Sequence, residues 1–145
     1  MAIDVPQLLK MTTDQLDTLF KNSPAGDIPD GDAQGTALIA TGTPISPEIA
    51  EIINQFGWQG KVFDAKDGVL VNKILIIGLR AIIANVYKAP SWIDNKECIV
   101  LDYSKTSLVA QRIRDEIRNI GPRLYMGPVF WDKTRLIHFA LQFPG

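Results

Sequence analysis

The 145-residue sequence predicts an α+β protein in which a mainly antiparallel, curved sheet or β-barrel carries about three short helices. Segments rich in β-branched and aromatic residues follow one another through the second half of the chain, and short turns join most of them. Strands joined by short turns pair antiparallel, and closure of such a meander into a barrel removes its exposed edges. Helix signals are confined to three places.

Length and composition fit one domain. Chains of this size form a single hydrophobic core, and 46% hydrophobic residues with a net charge of −1 exclude a largely disordered chain. We expect one domain over residues 1–145, with an N-terminal helix and loop at 1–35 and a barrel with two helices at 36–145. Fifteen basic against sixteen acidic residues give no electrostatic signal for a nucleic-acid partner.

The first residues, Met-Ala-Ile-Asp-Val-Pro, lack the basic and apolar segments of a secretory signal. The longest nearly uncharged stretch, residues 68–79, is shorter than the roughly 20 residues that cross a bilayer. We therefore expect a cytoplasmic protein without a membrane span. The sequence does not indicate an oligomeric state.

Two helix signals lie in the first half of the chain. A capping box formed by Thr12 and Gln15 begins a short helix that ends near Asn22. A second helix begins at Ser46 and ends at Gly57, because a capping serine, a first-turn proline and a terminal glycine mark it. The Gly-, Pro- and Asp-rich residues 23–35 between these helices predict a loop.

A third helix is predicted from about Ser107 to Ile120. Apolar residues at helical spacing form one stripe, and Gly121-Pro122 follow as a stop signal. The charged residues of Arg112–Arg118 then occupy the opposite face, where we expect them to be solvated or, as an alternative, to bind a protein partner.

Six strands are predicted, with a possible seventh at Ala37–Ala40. The turns Lys66-Asp67-Gly68 and Asp132-Lys133 are short enough to form hairpins. The six strands are Gly60–Ala65, Val69–Leu75, Leu79–Lys88, Glu97–Tyr103, Leu124–Trp131 and Thr134–Phe143.

The sequence lacks the residues on which several common catalytic and binding sites depend. It contains neither a dinucleotide-binding nor a P-loop glycine pattern, so we expect no nucleotide cofactor. His138 is the single histidine and Cys98 the single cysteine, so the usual metal sites and nucleophilic triads cannot be assembled. Cys98 alternates with apolar residues on its strand and is expected to be an inert, packed thiol.

Polar residues on otherwise apolar strands are the candidate ligand-binding groups. They are Asn85, Tyr87, Tyr125 and His138, which together would orient a ligand in a mainly apolar pocket. Each has a structural alternative, and for His138 this is a hydrogen-bonded position on the wetter side of the sheet.

Asp102 is the candidate acid or base, with Tyr103 or His138 as hydrogen-bond donor. Facing an apolar cavity, the Asp102 carboxyl would have a raised pKa. The alternative places Asp102 at the end of its strand, where it binds backbone amides.

The segment Phe56-Gly-Trp-Gln-Gly-Lys-Val-Phe63 resembles the first barrel strand of the calycins, the lipocalin and fatty-acid-binding group. The resemblance extends over Gly57–Phe143 and implies a small β-barrel with an apolar ligand. It also implies that Trp58 and Arg135 close the floor of the barrel.

The function that we expect is the binding of a small hydrophobic or amphipathic molecule in an apolar barrel cavity. One alternative is a small-molecule isomerase, cyclase or hydrolase that uses Asp102, Tyr103 and His138 without a metal or nucleotide. A second alternative is a protein-interaction module.

Overall fold

The computed structural model describes residues 3–39, 47, 61–72, 83–105 and 111–144. Within these residues, eight strands form a closed antiparallel barrel in which each strand pairs with the next along the chain and the last pairs with the first. The strands are β1 Gly31–Leu38, β2 Lys61–Asp64, β3 Val69–Asn72, β4 Ile83–Pro90, β5 Glu97–Asp102, β6 Ile113–Gly121, β7 Leu124–Trp131 and β8 Thr134–Gln142.

Two short helices precede the barrel, α1 Val5–Leu9 and α2 Thr13–Lys21. The predicted capping box at the start of α2 is confirmed, since Thr12 and Gln15 bond each other's backbone amides at 3.1 and 2.9 Å. The five-residue helix α1 was not predicted, although Asp4 forms a second capping box with Gln7. The predicted helix Ser46–Gly57 lies outside the described residues, apart from Pro47.

The predicted strands and hairpins of the barrel are confirmed where the structure describes them. β7 has the predicted bounds, and the turns before β3 and β8 join antiparallel neighbours. At the first of these turns Gly68 has a φ of 63°, which suits glycine. The loop prediction for residues 23–35 is wrong at its end, because β1 begins at Gly31. β1 ends at Leu38 and so contains the first two residues of the possible seventh strand.

The predicted third helix, Ser107–Ile120, is wrong from residue 111 on, because residues 111–112 form a turn and residues 113–121 form β6 between β5 and β7. Residues 107–110 lie outside the described residues. Ile113 and Ile117 are four residues apart, a spacing that puts them on one face of a helix and also on one face of a strand. They face the barrel interior in β6 together with Asp115, whereas Arg114 and Glu116 lie between them on the outer face.

The barrel wall separates two apolar clusters. The inner cluster lines the interior of the barrel and includes Ile99, Leu101, Ile117, Phe139 and Leu141. The outer cluster lies between the wall and helices α1 and α2. Its buried members are Leu8, Leu16, Phe20, Leu38, Cys98, Val100, Leu124, Met126 and Ala140. Because α1 and α2 cover part of the barrel, several strands are apolar on both faces.

The antiparallel order gives the barrel two different ends. The last residues of β1, β3 and β5 and the first residues of β2, β4 and β6 lie at one end of the barrel, which we call the long-connection end because ten or more residues separate each of these strand pairs in the sequence. Turns 65–68, 91–96 and 122–123 connect strands at the other, the short-turn end. Edge-to-face contacts of 5.5 and 5.6 Å join Phe143 to Phe63 and Tyr125 at the short-turn end. These rings occupy the interior at that end.

Candidate functional site

The inner face of the barrel is apolar except for a small number of groups. Among the described residues that are buried on this face, one carboxylate and two phenols interrupt the lining, namely Asp115, Tyr103 and Tyr125. The half-buried Asn119 lies opposite Tyr125 in the β6–β7 ladder. Polar groups that are few and specifically placed on an apolar wall are typical of small-molecule sites.

Tyr103 and Asp115 form a buried pair on neighbouring strands. The Tyr103 hydroxyl lies 3.4 Å from Oδ2 of Asp115, and the exposed fractions of the two residues are 0% and 4%. Asp115 lies opposite Leu101 in the β5–β6 ladder, and Tyr103 is two residues beyond Leu101 on the same face. The pair therefore lies inside the barrel, close to the long-connection end.

Tyr125 also faces the interior, but it lies at the short-turn end. Its hydroxyl donates a hydrogen bond of 2.8 Å to the carbonyl oxygen of Asp27, and its ring packs against Phe143. Burial raises the pKa of Tyr125 above its ordinary value of 10.0. Tyr125 thus contributes to closing this end and ties the segment before β1 to the barrel.

The structure places Asn85, Tyr87 and Asp102 on the outer face. Ala84 and Val86 belong to the inner cluster, so Asn85 and Tyr87 point outward from β4 by alternation. The ladder puts Asn85 opposite Asp102, and Tyr87 is exposed. These three side chains therefore do not meet Tyr125 inside the barrel.

Asp102 occupies the end of its strand, as in the structural alternative drawn from the sequence. Its carboxylate accepts hydrogen bonds from the Tyr87 hydroxyl at 2.7 Å and from the Ser104 amide and hydroxyl at 2.9 and 2.6 Å. Burial raises the pKa of Asp102, but the bonds from Ser104 and Tyr87 outweigh it and hold the pKa below 3.8. Burial and then Asp102 raise the pKa of Tyr87 to about 12. The raised carboxyl pKa expected for Asp102 is therefore wrong.

His138 lies on the outer face of β8, beneath α2. Its Nε2 atom is 2.8 Å from one carboxylate oxygen of Asp17, and Arg135 donates to the other oxygen at 2.6 Å. Burial raises the pKa of Asp17, but the contacts with His138 and then Arg135 together lower it by more than burial raises it. The pKa of Asp17 therefore lies below 3.8. His138 and Arg135 thus attach α2 to the barrel wall. Trp58, the expected partner of Arg135, lies outside the described residues.

The charged run of β6 is not a solvated helix face. Glu116 is fully buried on the outer face, where it accepts hydrogen bonds from the Ser91 hydroxyl at 2.6 Å and the Trp92 amide at 2.9 Å. Arg114 bonds the same carboxylate and lies 4.2 Å from the centre of the Trp92 ring. The charges of β6 therefore hold the β4–β5 loop, and no helix presents them to a partner.

Sequence reasoning missed Asp115 as a candidate because it was assigned to the charged face of a helix. The available signal was the alternation of Ile113, Asp115 and Ile117 with Arg114, Glu116 and Arg118, which is a strand period of two. That period puts Asp115 among the isoleucines, on the buried face.

Two open depressions lined by described residues lie on the surface. One has a volume of about 400 Å³ and is lined by Asp32, Gln34, Gln142, Phe143 and Pro144. The other has a volume of about 450 Å³ and follows α2, where its lining is Met11, Asp14, Gln15, Thr18, Leu19 and Asn22. Neither contains a predicted site residue. The described part of the chain has no cluster of three or more potential metal ligands and no helix long and apolar enough to span a membrane.

Comparison with known proteins gives the fold alone. No protein-family model matches the chain, and no curated protein matches it. Among solved structures, the chain is similar to a protein from Thermomonospora curvata, with a TM-score of 0.65 and 12% sequence identity. The match covers 94% of this chain and 90% of that one. The chain therefore shares an overall fold with that protein.

Proposed function

We propose that the interior of the barrel binds one small, mainly apolar molecule whose single polar group contacts Tyr103 and Asp115. The observation that carries the proposal is the placement of this buried pair on an inner wall that is otherwise almost entirely apolar. An eight-stranded barrel is wide enough either to be filled by its own side chains or to hold one small ligand.

The size of the inward residues favours a ligand. Strand β1 directs Ala33, Gly35 and Ala37 inward, and β4 adds Ala84, so part of the wall occupies little of the interior. Each Å² of apolar ligand surface that these walls remove from water contributes about 25 cal/mol to binding. The apolar lining would therefore supply the affinity.

The polar pair would supply orientation. Asp115 accepts hydrogen bonds and the Tyr103 hydroxyl both donates and accepts, so a hydroxyl, amine or carbonyl group has a partner there. Aromatic side chains occupy the interior at the short-turn end. The apolar body of the ligand would therefore lie between these rings and the Tyr103–Asp115 pair. The resemblance of Gly57–Phe143 to calycin barrels agrees with this arrangement, because those proteins hold apolar ligands inside the barrel.

The test is a fluorescence titration with 1-aminoanthracene, which has an apolar body and one amine. We expect saturable binding of one dye per chain. Tyr103→Phe removes one hydrogen-bonding group without changing the volume, so it should weaken binding by about 2- to 10-fold, equivalent to 0.5–1.5 kcal/mol.

Tyr87→Phe is the matched control, because it makes the same chemical change on the outer face. We expect the dye affinity of this variant to equal that of the wild type. Failure of the wild type to saturate, or equal effects of the two substitutions, would refute binding at the Tyr103–Asp115 pair.

A further inference from the structure

We propose that Tyr103 and Asp115 are an acid–base pair that moves a proton on a small, apolar carbonyl compound bound inside the barrel. This inference rests on the proposed function and adds a reaction to it. It transfers the acid–base role from Asp102, which lies on the outer face, to a carboxylate that faces the interior.

The positions of the two groups suit a shared substrate. Their oxygens are 3.4 Å apart, at the upper limit of a hydrogen bond, so a third polar atom can contact both after a small rotation of either side chain. General acids and bases act over about 2.6–3.2 Å, and both groups are on rigid strands or directly after one. A substrate oxygen beside the Tyr103 hydroxyl would bring its neighbouring carbon toward Asp115.

The surroundings of the pair also suit proton transfer. Neighbouring inward residues on β5, β6 and β8 include Leu101, Ile113 and Ile137, all of them buried. Asp115 is 4% exposed, and a bound apolar substrate would exclude water from its carboxylate. A carboxylate that water does not reach is a more effective base.

The step conserves atoms and electrons without a co-reactant. The Asp115 carboxylate takes a proton from the carbon next to the carbonyl group, and the C–H electron pair moves toward the carbonyl oxygen. The Tyr103 hydroxyl donates a hydrogen bond to that oxygen as its negative charge develops. Where the substrate has a carbon–carbon double bond next to the carbon that loses the proton, Asp115 returns the proton to the far carbon of that double bond. The double bond then shifts into conjugation with the carbonyl group, so the product is an isomer of the substrate.

The probe for this activity is 5-nitrobenzisoxazole, an apolar C–H acid. Removal of its ring proton by a carboxylate converts the C=N bond into a nitrile, breaks the N–O bond and releases a coloured phenolate. We expect the wild-type chain to open the ring at least ~100-fold faster than the Asp115→Asn variant does. A factor of ~100 is the lower end of the rate enhancement that a positioned general base contributes. Tyr103→Phe should be about 10-fold slower than the wild type, and Asp102→Asn, the matched carboxylate control, should equal it.

Circular dichroism and dye titration accompany the rates. If Asp115→Asn does not fold, the inference stands on the slower rate of Tyr103→Phe and on suppression of the wild-type rate by saturating 1-aminoanthracene. Equal rates for the wild type, Tyr103→Phe and Asp102→Asn would overturn the inference. If the dye binds one per chain while no Asp115-dependent rate is found, the acid–base role fails and the binding function stands. If the dye does not bind, the proposed function itself fails.

Discussion

The guanidinium group of Arg118 donates two hydrogen bonds of 2.7 Å to the carboxylate of Asp94, which joins β6 to the β4–β5 loop. The same group donates to the carbonyl oxygen of Phe20 at 2.9 Å and lies 4.3 Å from the centre of the Phe20 ring. Arg118 is 1% exposed. One buried cation therefore holds both the loop and the end of α2 against the barrel.

Arg118→Ala tests this arrangement. We expect a loss of about 3 kcal/mol in the free energy of unfolding, because the variant removes the buried donor to the Asp94 carboxylate and to the carbonyl oxygens of Phe20, Lys96 and Glu97. Urea unfolding followed by circular dichroism measures the change. The matched control is Arg112→Ala at an exposed position nearby, where we expect a change within about 0.5 kcal/mol. Equal stabilities of the two variants would contradict a structural role for Arg118.

The β6–β7 contact requires glycine at position 127. A Cβ atom at Gly127 would overlap the carbonyl oxygen of Glu116 in the backbone of the neighbouring strand. Gly127→Ala should therefore destabilise the barrel by about 3 kcal/mol, since the wall must move to admit the methyl group. At Gly121 the nearest atom to such a Cβ is 3.9 Å away, so Gly121→Ala should change stability by less than about 1 kcal/mol. Thermal unfolding of the two variants makes the comparison, and similar midpoints would show that the strands do not approach closely at Gly127.

The attachment of α2 to β8 predicts a dependence of stability on pH. The folded-state pKa of Asp17 is below 3.8, so the folded chain releases this proton more readily than the unfolded chain. The resulting stabilisation is complete above pH 3.8 and is lost as the pH falls through the lower, folded-state pKa. The stability difference between the wild type and Asp17→Asn should therefore shrink as the pH falls below 3.8. Urea unfolding over a pH series measures it.

Asp14→Asn is the control for this series, because Asp14 is exposed on the same helix. Its stability difference from the wild type should change less over the same interval. A wild-type advantage over Asp17→Asn that is independent of pH would show that His138 and Arg135 do not act through the Asp17 carboxylate.

The thiol of Cys98 should be unreactive in the folded chain. It is fully buried in the outer cluster, and burial, followed by the charge of Glu116, raises the pKa of Cys98 to about 12. The thiolate is the reactive form, so a disulfide reagent at pH 8 should label the native chain at the rate of unfolding. In denaturing urea it should label one thiol per chain rapidly. Equally fast labelling in both conditions would contradict the packing of α1 and α2 on this wall.

The turn-rich segments of the barrel were predictable from the sequence because short-range chemistry determines them. Asp67-Gly68 and Asp132-Lys133 are hairpin signals, and both hairpins occur in the structure. β6 was not predictable in the same way. The spacing of its isoleucines fits both the period of a helix and the period of a strand. Its charged residues resemble the solvated face of a helix, because the sequence does not show that the β4–β5 loop buries Glu116 and Arg118. Glu116 and Arg118 are buried by contacts with residues that are at least 21 positions away in the sequence.

Some of the side chains that the sequence suggests for a site lie inside the barrel, and others lie outside it. Tyr103 and Tyr125 face the interior, whereas Tyr87, Asp102 and His138 face outward. The alternation of a strand defines two faces but does not say which one is inside, and here the outer wall is apolar where α1 and α2 cover it. Asp17, which lies against His138, is the kind of partner that only the folded chain brings close.

Native mass spectrometry of the 145-residue chain with excess 1-aminoanthracene tests the central claim most directly. The account predicts a single adduct of one dye per chain, with lower occupancy in Tyr103→Phe, equal occupancy in Tyr87→Phe, and no adduct after denaturation. A chain that stays unliganded at saturating dye, or that gains several adducts without a limiting stoichiometry, would contradict a ligand site inside the barrel.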